Sequence, residues 1–161
     1  MGVMEQRPLT NGEKELAHLM FGSALDSERV RLVRGKWWPF QPQGIVMAPT
    51  GNIHFHPDDP NWRDDFAVSS LNLQGLLVHE LTHVWQTQKG GRWFLPLMRH
   101  PFCRYAYTPD PAKRFDRYGL EQQAEIVRHR FLRTKGALVP YEAKLAAMEL
   151  PFNPSSSLRG A

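Results

Sequence analysis

The segment from residue 76 to residue 89, LLVHELTHVWQTQK, constrains the fold more than any other part of the chain. Apolar residues recur at helical spacing through Leu73, Leu76, Leu77, Leu81 and Val84, and the pair Gly90-Gly91 supplies a stop, so the pattern predicts a helix over 69–89. Inside it lie His79, Glu80 and His83. A spacing of four puts both imidazoles on one face, a turn apart, close enough to bind one ion through two nitrogens. Polar groups set among Leu77, Val78, Leu81 and Val84 are costly to bury unless a metal or hydrogen-bond partners satisfy them. The helix therefore needs a neighbouring element that brings further polar groups.

Ahead of it, TNGEKELAHLMFG opens with Thr10 three residues before Glu13, a capping-box spacing, and continues through Leu16, Leu19 and Met20 as a helix over 11–21. DSERVRLVRGKWW alternates Arg29 and Arg31 with Val30 and Leu32, which suits a half-buried strand, although Val33 breaks the alternation. The runs IVMA and NIHFH, divided by Pro49-Thr50-Gly51, read as two further strands of a small sheet. Residues 90–118 are rich in Pro, Arg and aromatic residues without a period, which predicts a long packed loop. LEQQAEIVRHRFLRTKG restores helical spacing through Leu120, Ala124, Val127 and Phe131 up to Gly136, and PYEAKLAAMEL makes a last helix from Pro140. The expected architecture is α+β, mainly helical, with a small β-sheet before a helix pair. Residues 1–150 are expected to form a single domain, and PFNPSSSLRGA, 151–161, a flexible C-terminal tail.

Composition narrows the function classes. Cys103 is the sole cysteine of the 161 residues, so it forms no internal disulfide and no thiolate metal site. No basic segment followed by an apolar one opens the chain, and no apolar run is long enough to span a bilayer. The expected location is cytoplasmic, or export by a signal-independent secretion system. The net charge of +4 is concentrated in residues 92–135, with ten basic and four acidic residues. A solvated surface is the ordinary fate of such a stretch, and nucleic acid is not the expected partner.

A helical His-Glu-x-x-His has a chemical logic: the imidazoles bind zinc, and Glu80 reaches a water at the ion and takes its proton. A third ligand is then required. YGLEQQAEIV places Glu121 and Glu125 four apart on the second helix, so that one can ligate the metal while the other hydrogen-bonds a ligand histidine.

HELTHVWQ followed by EQQAE resembles the gluzincin metallopeptidases, whose pattern is HExxH with a later Glu. With LTNGEKELAHLMFG and GNIHFHPDD ahead of the helix, the chain is more closely similar to small bacterial Vgr-related metallopeptidase-like proteins, akin to a domain encoded with contractile injection systems. The resemblance covers roughly residues 8–135 and implies a zincin-like helix pair. It also implies Zn2+ bound by His79, His83 and Glu121, Glu80 as general base, and Glu125 bonded to a ligand. Many relatives carry Asp where this chain has Glu125, and the longer side chain leaves the choice of ligand open between Glu121 and Glu125.

His54 and His56 share one face of their strand and can border a cleft in which an extended peptide pairs with the strand. Tyr105, Tyr107 and Tyr118 can line that cleft, and a Tyr, His or Arg from residues 92–118 can steady an oxyanion. His18, His100 and His129 lack ligand partners at useful spacing. The expected function is zinc-dependent hydrolysis of a peptide bond in a peptide or protein substrate. The alternative is a zinc-stabilised accessory or binding module of a Vgr-associated secretion or injection system, without useful catalysis.

Overall fold

The computed structural model of the protein describes residues 4–91 and 105–152. The element order is β1 (Glu5–Pro8), α1 (Asn11–Phe21), β2 (Arg31–Arg34), β3 (Ile53–Phe55), α2 (Leu71–Gly90), α3 (Leu120–Thr134) and α4 (Glu142–Ala147), with short 3-10 turns between them. The protein is α+β and mainly helical, as the sequence implies.

The sheet has the order β1-β2-β3, with β1 antiparallel to β2 and β3 parallel to β2. Leu32 pairs with Ile53 and Arg34 with Phe55, so the apolar residues of the central strand β2 and its neighbour β3 bury together. Strand β1 is absent from the sequence reading because EQRP carries no β-branched or aromatic residue; its partner strand decides its conformation. Conversely, IVMA does not form a strand. It contributes a single bridge, Met47 to His54, with backbone N–H groups donating in both directions at 3.0 and 2.7 Å. Arg29 belongs to the turn Ser27–Arg29 and not to β2.

The capping box of α1 forms as the spacing predicts: Glu13 N–H donates to Thr10 Oγ1 at 3.1 Å and Thr10 N–H donates to Glu13 Oε2 at 2.8 Å. Glu13 does more than cap. Its carboxylate is fully buried, receives a bidentate pair from Arg7 of β1 at 2.9 Å on each oxygen, and accepts from Phe66 N–H at 2.8 Å. One side chain thus ties the sheet, the start of α1 and the turn Phe66–Val68 that leads into α2.

Helix α2 begins at its Ser70 cap and ends at Gly91, whose φ of 91° lies in the left-handed region that glycine tolerates. Every residue from Leu77 to Thr87 is buried. A helix buried all round is the central element of its fold. On one flank stand Phe21, Trp85, Phe115 and Phe152, with Trp85 and Phe152 ring centroids 5.2 Å apart. On the other side of the core Phe55 meets Phe66 and Trp62 at 5.6 and 5.3 Å. Phe152, 2% exposed, is therefore a core residue and not part of a loose tail; residues 153–161 lie outside those described. Helix α3 lies along α2, and Gly75 allows close approach, since a Cβ there would stand 3.3 Å from Leu132 Cδ2. Helix α4 starts at Glu142, two residues after Pro140, and the carbonyls of Leu145 and of the capping residue Met148 accept from Arg130 at 2.9 and 2.7 Å. Of the predicted loop 90–118, residues 92–104 lie outside those described, and 115–117 form a 3-10 turn.

Removing one partner of a buried, hydrogen-bonded ion pair costs about 3–5 kcal/mol, because the other charge stays behind. Glu13→Ala is expected to lose stability on that scale in urea unfolding followed by circular dichroism. Glu13→Gln, which keeps an acceptor oxygen for the Thr10 and Phe66 amides, is expected to lose less. A loss below about 1 kcal/mol for the alanine variant would show that Glu13 is not the tie described.

Candidate metal centre

His79 and His83 lie a turn apart on α2, with ring centroids 5.0 Å apart, and α3 presents Glu121 to both. Glu121 Oε2 is 3.3 Å from His79 Nε2 and 3.1 Å from His83 Nε2. All three side chains are buried, at 7%, 4% and 2% exposure. Among the described residues they form a group whose donor atoms lie within 4.8 Å of one another and could hold a metal ion.

The other ring nitrogens decide what these contacts mean. Gln86 Nε2 donates to the carbonyl of Leu120 at 3.1 Å, which leaves Gln86 Oε1 facing His83 Nδ1 at 2.9 Å. An amide oxygen only accepts, so His83 Nδ1 carries the hydrogen. His79 Nδ1 faces Glu125 Oε1 at 2.8 Å, and a carboxylate oxygen likewise only accepts. In the neutral imidazoles both Nε2 atoms then carry lone pairs, and both aim at the same carboxylate oxygen. Three acceptors converge on one place, which is a stable arrangement only around a positive charge. Nitrogen and oxygen ligands at about 2.0–2.1 Å in tetrahedral array stand about 3.3–3.4 Å apart, close to the separations of 3.3 and 3.1 Å seen here. The donor set fits a cation.

Electrostatics agree. Burial by itself lowers the His79 pKa, but hydrogen bonds to Glu121 and Glu125 and the charge of Glu80 and Glu125 outweigh it and hold the ring at about 9. Burial raises the Glu125 carboxyl, yet its bond to His79 and the charges of His79, Arg128 and His129 bring it below the ordinary carboxylate value. The carboxylates thus favour positive charge at the imidazoles, whether a proton or a metal.

Glu80, 6% exposed, follows His79 on the same helix turn. Tyr105 lies nearly parallel to the His79 ring, centroids 6.2 Å apart and planes 17° apart. Tyr118 walls an open cleft of about 1210 Å³ that reaches Gln86 and Glu121, together with Trp85, Phe115 and Leu150. The Tyr107 hydroxyl is hydrogen-bonded to His129 Nδ1 at 2.6 Å. His54 and His56 do not join the donor group of His79, His83 and Glu121. His54 pairs through its backbone with Met47, and burial lowers its imidazole pKa; His56 Nδ1 accepts from Asp58 N–H at 3.0 Å. His18 is exposed, and His100 lies outside the described residues.

Three partners escaped the sequence reading. Gln86 stands three residues after His83, a spacing at which helical side chains meet, and that signal was available. Gln123, which accepts from Gln86 at 3.0 Å and donates to the Tyr118 carbonyl at 2.9 Å, has no comparable signal. His129, which the sequence gives no ligand partner, sits four residues after Glu125, with Nε2 3.7 Å from Glu125 Oε2.

The fold and site define an α+β domain, mainly helical, whose central helix and its neighbour enclose a His-His-Glu group able to hold a metal. No established family model matches the chain. It is 39% identical over 132 residues, 78% of its length, to the type VI secretion system spike protein VgrG2b of Pseudomonas aeruginosa strain PAO1, of which it spans 13%. Its fold matches the solved effector domain of Pseudomonas aeruginosa VgrG2b with a TM-score of 0.70 and 35% identity, covering 88% of this chain and 79% of that one. The chain belongs to the family of that VgrG2b effector domain. Among the described residues no helix is long and apolar enough to cross a membrane.

The geometry assigns unequal weight to the two α3 carboxylates. If the group holds a metal, Glu121→Ala is expected to reduce its affinity by several orders of magnitude, since Glu121 would supply a ligand atom, whereas Glu125→Ala is expected to cost about ten- to a hundredfold. His83→Ala should abolish stoichiometric binding. Competition with a chromophoric chelator measures all three, and a larger loss at Glu125 than at Glu121 would reassign the ligand.

Proposed function

We propose that the chain is an effector domain of a type VI secretion system that binds zinc through His79, His83 and Glu121 and hydrolyses a peptide bond with Glu80 as general base. The secretion half has the broader support, because it rests on similarity over most of the chain. The hydrolytic half rests on one observation: two imidazoles and a carboxylate converge in a buried site, with a further carboxylate one residue from the first imidazole. Zinc in such a site supplies Lewis acidity, lowering the pKa of water toward about 7 and polarising a substrate carbonyl.

The residues supply the rest. Glu80 accepts the proton of the attacking water on a carboxylate oxygen and returns it to the departing amine. Glu125 and Gln86 hold the two imidazoles in the tautomer that leaves Nε2 free to bind. The role of donor to the oxyanion falls in this reading to Tyr105, whose ring is nearly parallel to that of His79, and the cleft beside Glu121 is the route taken by an extended substrate.

A second reading keeps the metal but not the turnover: a zinc-stabilised module of the secretion machinery. The depth of the site favours it, since all three ligands are buried, as in closed structural centres. Against it stands the ligand count, for among the described residues the group holds three members, and catalytic zinc sites keep a fourth position open.

Glu80→Gln separates the two. The amide matches the carboxylate in shape but cannot take a proton, so the variant is expected to keep its fold and zinc while cleavage of a broad peptide library falls about a hundredfold or more. Equal cleavage by wild type and variant at matched zinc occupancy would remove Glu80 from the mechanism. Zinc retention with no cleavage by either protein would favour the module.

A further inference from the structure

The environment of Glu125 extends beyond the histidine it holds. Its Oε1 accepts from His79 Nδ1 at 2.8 Å and from Arg128 Nη1 at 3.3 Å, and its Oε2 faces His129 Nε2 at 3.7 Å. On the far side of the same ring, His129 Nδ1 meets the Tyr107 hydroxyl at 2.6 Å. Tyr107 is in turn fixed by edge contact with Tyr118, ring centroids 6.5 Å apart and planes at 89°. The chain of side chains Tyr107, His129, Glu125, His79 thus runs from the segment before α3, across α3, to the metal-facing histidine of α2.

The hydrogen positions along it are determined at both ends. An Nε2 directed at a carboxylate is favoured with its hydrogen on, so Nδ1 bears the lone pair and the phenol donates to it. The local pKa shifts keep both groups neutral. Burial pushes the Tyr107 phenol up, aided by the charges of Glu125 and Tyr118. Burial pushes His129 down, aided by Arg128 and His79 against the opposing pull of Glu125. At 3.7 Å the pull of the carboxylate on the Nε2 hydrogen is weak, so without the phenol's bond to Nδ1 a larger share of the rings carries the hydrogen on Nδ1 and turns the Nε2 lone pair toward Glu125 Oε2. That contact is repulsive, and Glu125 can relieve it only by moving, which disturbs its 2.8 Å bond to His79.

We propose that Tyr107 and His129 are positioning residues of the metal centre: the Tyr107 hydroxyl reinforces the His129 tautomer that Glu125 favours, His129 orients Glu125, and Glu125 orients His79. This inference rests on the proposed metal site but not on its catalytic use. It gives a task to two residues that the site chemistry otherwise leaves unused.

Tyr107→Phe removes one oxygen and keeps the ring contacts with Tyr118 and His129, so folding should survive; thermal unfolding checks that it does. Zinc affinity, read by chelator competition, is expected to fall roughly threefold to tenfold, less than for loss of the direct partner Glu125. In a Glu125→Gln background the same substitution is expected to change affinity by less than about twofold, because the link to His79 is already cut. Nitrogen NMR of the His129 ring in the metal-free protein is expected to show the Nε2–H tautomer in wild type and a shift toward Nδ1–H in Tyr107→Phe. Unchanged affinity and an unchanged tautomer in a variant whose wild-type parent binds zinc would overturn this inference alone. Failure of the wild type to bind zinc at all would overturn the metal site and the inference with it. Equal losses in both backgrounds would also sink it, since they would make Tyr107 a general stabiliser that does not act through Glu125.

Discussion

The structure depends on burying six polar side chains inside one helix. Between His79 and Thr87, helix α2 carries His79, Glu80, Thr82, His83, Gln86 and Thr87 into the interior. An unpaired polar group at that depth costs several kcal/mol, so the helix can be central only if partners reach it. Thr82 finds one locally, donating to the Val78 carbonyl at 2.9 Å. His83 Nδ1 and Gln86 Oε1 also meet within the helix, but His79, His83 Nε2 and the Gln86 amide N–H find their partners on α3: Glu121, Glu125, Gln123 and the Leu120 carbonyl. Packing of α3 on α2 is therefore electrostatic as much as apolar. The same contact that stabilises the helix pair assembles the site.

A second polar node sits at the start of α1. Glu13 joins β1, α1 and the turn before α2 through one buried carboxylate, with Arg7 as its counter-charge. Thr10 adds a bond to Asp65 at 2.9 Å, which fixes the entry to that same turn. The start of α2 is set by this node and its middle by α3. A helix pinned at both places has little freedom to slide, which suits a site whose donor atoms must meet within a few tenths of an ångström.

The likeness to the VgrG2b effector domain covers most of this chain but only a small part of the spike protein. Within that compass the site is economical: among the described residues two helices supply every atom of the group that could hold a metal and the partners that orient the histidines. The described sheet residues contribute no member of that group. Its role is to support the turn and helix that carry the site, through the buried strands β2 and β3 and the aromatic group around Phe55.

What the sequence determined by itself was local and periodic. The four-residue spacing of His79 and His83, and of Glu121 and Glu125, follows from helix geometry, as do the Thr10–Glu13 cap and the glycine stop of α2. These features need no knowledge of the rest of the chain, because the atoms concerned lie within about one helical turn. The tertiary structure decided everything that joins segments distant in sequence. It made a strand of Glu5–Pro8 and reduced IVMA to one bridge, because strand formation depends on a partner's edge as well as on local propensity. It buried Phe152 among Phe21, Trp85 and Phe115, although the surrounding composition reads as a tail. It also gave the two acids of α3 their different places: Glu121 faces Nε2 of both histidines, while Glu125 faces Nδ1 of one. On an isolated helix the two carboxylates share a face and differ by a single turn, so only the position of α3 against α2 could tell them apart.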